Sequence, residues 1–120
     1  MTTTVNEGDK VNLTIPKGPT FKRIFYYKTK AGVAVPLTGY TGKCQFRTSA
    51  SDTTVLYDST TTGDITIDAP TGTVTLEIPA ATTAAWTFSS AVYDVMLFDA
   101  VGKETLLVQG RVTVKPTVTR

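Results

Sequence analysis

An all-β domain is what the sequence predicts, and three observations predict it. Twenty-five of the 120 residues are threonine, whose β-branched side chain packs on a pleated surface while its hydroxyl meets water. Short stretches of strict apolar and polar alternation recur along the chain, separated by Gly, Pro, Asp and Ser, as in half-buried antiparallel sheet. Only Pro79 to Trp86 leaves room for helix, and there for at most one short helical turn.

Val11, Leu13 and Ile15 form the first alternating stretch, and Pro16-Lys-Gly-Pro19 ends it. Thr20 to Lys28 is a second strand with Phe21, Phe25 and Tyr27 on one side and Ile24 and Tyr26 on the other. A hairpin or loop follows at Lys30-Ala-Gly32. After Leu37-Thr-Gly-Tyr40 comes a strand in which Cys44 and Phe46 alternate with Lys43, Gln45 and Arg47. Val55-Leu-Tyr57 is a short strand, and so is the stretch that sets Ile65 and Ile67 among Asp64, Thr66 and Asp68. Ala69-Pro-Thr-Gly72 has the composition of a turn. Val74, Leu76 and Ile78 then face one way and Thr73, Thr75 and Glu77 the other, the cleanest alternation in the chain.

Ala91 to Asp99 and Glu104 to Lys115 read as a strand pair around Ala100-Val-Gly-Lys103. One continuous register sets Val95 against Val108 and Leu97 against Leu106 on the core face. The same register sets Met96 against Leu107 and Phe98 against Thr105 on the other face, and Tyr93 opposite Gly110, whose bare backbone the ring would cover. Trp86 followed by Tyr93 early in an apolar strand matches the tyrosine corner of immunoglobulin-like sandwiches, in which the hydroxyl bonds backbone a few residues upstream. The expected architecture is therefore an immunoglobulin-like antiparallel β-sandwich of about seven to eight strands without the usual disulfide, and an open barrel is the alternative. Residues 1–120 make a single domain on this reading, with flexible termini at about 1–8 and 116–120.

Charge is nearly balanced, at 12 basic and 10 acidic residues, so a nucleic-acid partner is not expected. Lys17, Lys22, Arg23, Lys28 and Lys30 interleave with Phe21, Phe25, Tyr26 and Tyr27, but this is read as a strand with solvated lysines. No stretch reaches the roughly 18 apolar residues of a membrane span, and the first residues lack the pattern of a secretion signal. Cys44 is read as a small buried hydrophobe; without histidine in the chain it has no imidazole to activate it, and a reducing compartment suits a lone thiol. Asp94, opposite Gln109, is read as an outward-facing carboxylate, solvated or hydrogen-bonded, rather than an acid catalyst. Asp64, Asp68 and Glu77 lack calcium-loop spacing, and the Gly-containing runs lack the lysine of a phosphate loop. No catalytic residue, cofactor, metal or small-molecule substrate is expected.

Lys17-Gly-Pro-Thr-Phe-Lys-Arg-Ile-Phe-Tyr-Tyr27, Leu37-Thr-Gly-Tyr40, Cys44-Gln-Phe-Arg47, Val92-Tyr-Asp-Val-Met-Leu97 and the run from Gln109 to Arg120 carry a resemblance. Over most of its length the chain resembles the small β-sandwich virion proteins of tailed phages and prophages. Its N-terminal half is similar to the N-terminal domain of phage upper baseplate proteins. The resemblance implies a non-enzymatic structural component, a tail, collar or baseplate adaptor that docks other virion proteins and copies of itself. It also implies synthesis in the host bacterial cytoplasm and a place in the virion. A capsid decoration protein, or a carbohydrate- or receptor-binding module using Tyr40, Tyr57 and Trp86, remains open. The expected protein interface is Tyr26, Met96, Phe98 and Leu107, apolar residues left over once the opposite face is assigned to the core.

Overall fold

Two sheets face each other in the computed structural model, which describes residues 2–60 and 63–116. In chain order the elements are β1 (Thr2–Val5), β2 (Asp9–Lys10), β3 (Leu13–Pro16), β4 (Phe21–Tyr27), β5 (Thr41–Arg47), β6 (Val55–Asp58), β7 (Ile65–Asp68), β8 (Thr73–Ile78), α1 (Ala80–Ala84), β9 (Ser90–Phe98) and β10 (Glu104–Lys115). One sheet has the order β1-β4-β8-β7; the other runs β2-β10-β9-β5-β6, with β3 also on β10. With β4-β8-β7 against β10-β9-β5, this is the immunoglobulin strand order. No ladder joins the two sheets among the described residues, which sets the open barrel aside.

Three ladders depart from the antiparallel expectation, because β1 runs parallel to β4, and β2 and β3 run parallel to β10. The strand count also exceeds seven to eight, since the stretch expected to be a flexible arm over residues 1–8 is built into the sheet. Thr2–Val5 pairs with Ile24–Tyr27, the Val5 side chain is buried, and the Val5 carbonyl accepts the Lys28 N–H at 3.0 Å. Asn6 then closes the turn by donating from Nδ2 to the Lys28 carbonyl at 2.7 Å. One buried valine and a four-residue backbone ladder to β4 are enough to hold an edge strand whose other residues are polar. From residue 117 the expected C-terminal arm lies outside the described residues.

The core fills as the alternation predicts, with Val74, Leu76 and Ile78 of β8 and Ala91, Tyr93, Val95 and Leu97 of β9 all buried. Phe46 sits between aromatic neighbours, its ring centroid 4.9 Å from Tyr57, 5.6 Å from Trp86 and 5.9 Å from Tyr93. The helix α1 follows Pro79 and is anchored by Thr83, whose buried hydroxyl accepts the Gly18 N–H at 3.1 Å and donates to the Pro19 carbonyl at 2.9 Å. Cys44 is fully buried, and burial pushes its thiol pKa well up, so it packs as a hydrophobe.

Tyr93 is not a tyrosine corner. Its hydroxyl donates to the Val11 carbonyl at 2.6 Å, 82 residues upstream and in a neighbouring strand segment. The reason lies in β10, where Gly110 pairs with Tyr93 on one side while Val11 and Asn12, between β2 and β3, flank it on the other. A Cβ at Gly110 would stand 2.3 Å from the Val11 oxygen, so only glycine lets the Val11 backbone come this close. Asn12 repairs the break in the ladder by accepting the Arg111 N–H on Oδ1 at 3.1 Å.

A second buried polar pair joins Tyr57, whose hydroxyl donates to Asp64 Oδ2 at 2.5 Å. Burial first, and this hydrogen bond second, push the tyrosine pKa far up. Tyr57→Phe should lower stability by about 2 kcal/mol, because it strips a buried carboxylate of its donor. The check is the urea midpoint at neutral pH, and a loss below about 0.5 kcal/mol, half the usual net value of one hydrogen bond, would show that the hydroxyl contributes nothing there.

Candidate functional site

The outer face of the six-stranded sheet carries the residues that the core does not use. On β5 the side chains alternate, with Cys44 and Phe46 inward and Lys43, Gln45 and Arg47 outward. On β9 the outward set is Val92, Asp94, Met96 and Phe98. The strand registers line these up in rows. One row runs Lys43, Met96, Leu106; the next is polar and crosses five strands as Asp58, Gln45, Asp94, Gln109 and Lys10; a third runs Arg47, Val92, Arg111.

Of the four expected interface residues, the structure brings only Met96 and Phe98 together. The continuous register holds from Thr113–Ser90 to Val108–Val95 and then slips by one residue at a bulge, beyond which Leu106, and not Leu107, pairs with Met96. Leu107 is the extra residue and is 0% exposed in the core. The Gly8 N–H lies between the Leu106 and Leu107 carbonyls, at 2.9 and 3.0 Å, and so ties the bulge to the β1–β2 turn. Tyr26 belongs to the outer face of the other sheet, where the Lys28 ammonium lies 4.5 Å from its ring centroid. The apolar end of the larger sheet's outer face is thus Met96, Phe98 and Leu106, each partly exposed.

Next to that end lies a groove of about 710 Å³ lined by Lys10, Gln45, Arg47, Asp94, Gln109 and Arg111, with Met96 at its apolar side. The β5–β6 loop forms a wall because Arg47 fixes it, donating from Nη1 to the Asp52 carbonyl at 2.7 Å and from Nη2 to Gln45 Oε1 at 2.9 Å. Gln45 in turn donates to Asp58 Oδ2 at 2.8 Å. Burial opposes ionisation of Asp58, but hydrogen bonds from Thr60 and Gln45 outweigh it and hold the carboxyl below its usual range. Asp94 goes the other way: partial burial raises its pKa, and the Arg47 guanidinium offsets only part of the rise. Its place opposite Gln109 is the one the sequence predicts.

Other candidate features disperse. Phe21 and Phe25 are buried, and Arg23 donates to Thr3 Oγ1 at 2.9 Å, so the basic and aromatic residues of β4 form no stacking platform. Tyr57 and Trp86 are core residues, which leaves Tyr40 as the one partly exposed aromatic of the three considered for a sugar site. Among the described residues no group of three or more His, Cys, Asp or Glu comes together in a way that could hold a metal ion. The chain matches no protein-family model and no curated protein.

The sequence reading missed Leu106 and the groove. Leu106-Leu107-Val108 places three apolar residues in a row within a half-buried strand, a break in alternation that signals a bulge. The concavity has no such signal, because it depends on the course of the β5–β6 loop.

Proposed function

We propose that the protein is a non-enzymatic structural component of a tailed-phage virion, an adaptor of the tail, collar or baseplate that docks other virion proteins. The observation that carries the docking part is the partly exposed cluster of Met96, Phe98 and Leu106 on a sheet face turned away from the core. Apolar residues gathered at one end of an otherwise polar face mark a contact surface, since each would gain by leaving water. The virion setting is supported by the resemblance in sequence pattern, and a rigid sandwich of this size suits a module that positions its neighbours.

Met96→Glu combined with Phe98→Glu tests the reading. Both side chains point outward, so the variant should keep its urea midpoint, while uptake onto phage particles lacking the protein, followed by co-sedimentation, should fall at least tenfold. Unchanged uptake would remove this face. Uptake by capsids alone would turn the reading to a decoration protein, and binding to a glycan array without uptake would turn it to a receptor-binding module.

A further inference from the structure

We infer that the groove beside Met96 receives an extended acidic segment of a partner protein. The inference rests on the docking reading and names the chemistry of the docked chain. Three of the chain's 12 basic residues line the groove, Lys10, Arg47 and Arg111, against one of its 10 acidic residues, Asp94. The groove thus carries a formal net charge of +2, as much as the whole chain. A concave surface with an excess of one sign of charge focuses the field on an incoming ligand of the other sign.

The polar groups are also free for use. The side chains of Lys10, Asp94, Gln109 and Arg111 make no hydrogen bond with any described residue, whereas Gln45 and Arg47 are locked in place by each other, Asp58 and Asp52. The fixed pair holds the wall, while Lys10, Gln109 and Arg111 line the groove without a hydrogen bond from a described residue and Asp94 interacts only through the nearby Arg47 charge. Arg111 offers a planar fork that fits a carboxylate through two parallel bonds, and Lys10 a point charge at the far side. Gln109 supplies a donor and an acceptor suited to a peptide group, and Asp94 is an acceptor for backbone N–H. The Gln45–Asp94–Gln109–Lys10 row and the Arg47–Val92–Arg111 row lie side by side across these strands, so a chain laid along them would meet Lys10, Arg47 and Arg111 at its acidic side chains and the Gln45 and Gln109 amides along its backbone. At its apolar end the groove runs into Met96, continuous with the contact cluster proposed above.

The test titrates the isotope-labelled chain at low salt with an acetylated, amidated hexaglutamate peptide and follows backbone amide shifts. The shifts should move at Lys10, Gln45, Asp94, Gln109 and Arg111, and binding should weaken as salt is raised. Lys10→Glu with Arg111→Glu should weaken it at least tenfold; Arg111→Gln alone, a milder change at an exposed position, should weaken it several-fold. No movement at these positions, or equal binding of hexalysine, overturns the inference. So does an equal response to inorganic phosphate or to an oligothymidylate, since the groove would then take simple anions or nucleic acid. Its failure is separable from that of the docking reading. Uptake that still depends on Met96 and Phe98 leaves docking in place without the acidic segment, and hexaglutamate binding without uptake leaves the groove in place without the virion.

Discussion

Gly110→Ala is expected to destabilise the fold by about 3 kcal/mol, the upper end of the range for forcing an atom into a packed region. The added Cβ would lie 2.3 Å from the Val11 oxygen and 2.9 Å from the Val11 carbonyl carbon. These are backbone atoms, so no rotamer change relieves the overlap. Relief requires the segment between β2 and β3 to move off β10. That movement stretches the Val11 N–H bond to the Gln109 carbonyl, 2.8 Å, together with the Tyr93 hydroxyl bond to Val11 and the Arg111 N–H bond to Asn12. Urea unfolding measures the loss directly. Tyr93→Phe alone should cost about 1 kcal/mol, the net value of one hydrogen bond. Combined with Gly110→Ala it should add less than that, because the clash already breaks the same bond. Strict additivity would mean that the strand segment yields without disturbing Tyr93.

Phe46→Ala is expected to cost about 4 kcal/mol, as for other fully buried aromatic rings cut back to a methyl group. The ring touches Tyr57 and Tyr93, its ladder partners on β6 and β9, and Trp86 after α1, so it ties the larger sheet to the segment that follows the helix. Those neighbours cannot close the gap together. Tyr57 is held by Asp64 and Tyr93 by Val11, and Trp86 already rests on Phe88 with ring centroids 5.0 Å apart. A cavity therefore remains, and the cost includes both the lost transfer of the ring from water and the void. Calorimetry or urea unfolding reads the stability. Trp86 fluorescence should also shift to longer wavelength as water reaches the indole. A loss near 1 kcal/mol would show that the aromatic neighbours repack freely.

How much of this is legible in sequence depends on the range of the interaction. The inward set of β8 is legible because each residue's side is fixed by parity alone, and Asp94 opposite Gln109 follows from the same rule. The bulge at Leu107 defeats parity by exchanging one leucine for another, so the pattern stays apolar while the face changes. β1 escapes detection because backbone pairing holds it and only Val5 enters the core. The Tyr93 partner escapes because Val11 lies 82 residues away, at a distance no local pattern spans. Within the candidate site, the outward parity of Gln45, Arg47 and Gln109 is readable, yet the groove is a product of loop geometry.

The parallel ladders of β10 also set the order in which the molecule can assemble. Among the described residues β2 and β3 pair only with β10, joining residues 9–16 to residues 108–115, whereas β1 pairs with β4 about two dozen residues along. During synthesis the Val11 to Ile15 stretch lacks this partner until residues 108–115 have left the ribosome. Closing such a long loop carries its entropy cost before any contact compensates, which slows this pairing. A nascent chain arrested short of β10 would display an unfinished sheet edge on β9, the surface on which a chaperone or a neighbouring nascent chain would act.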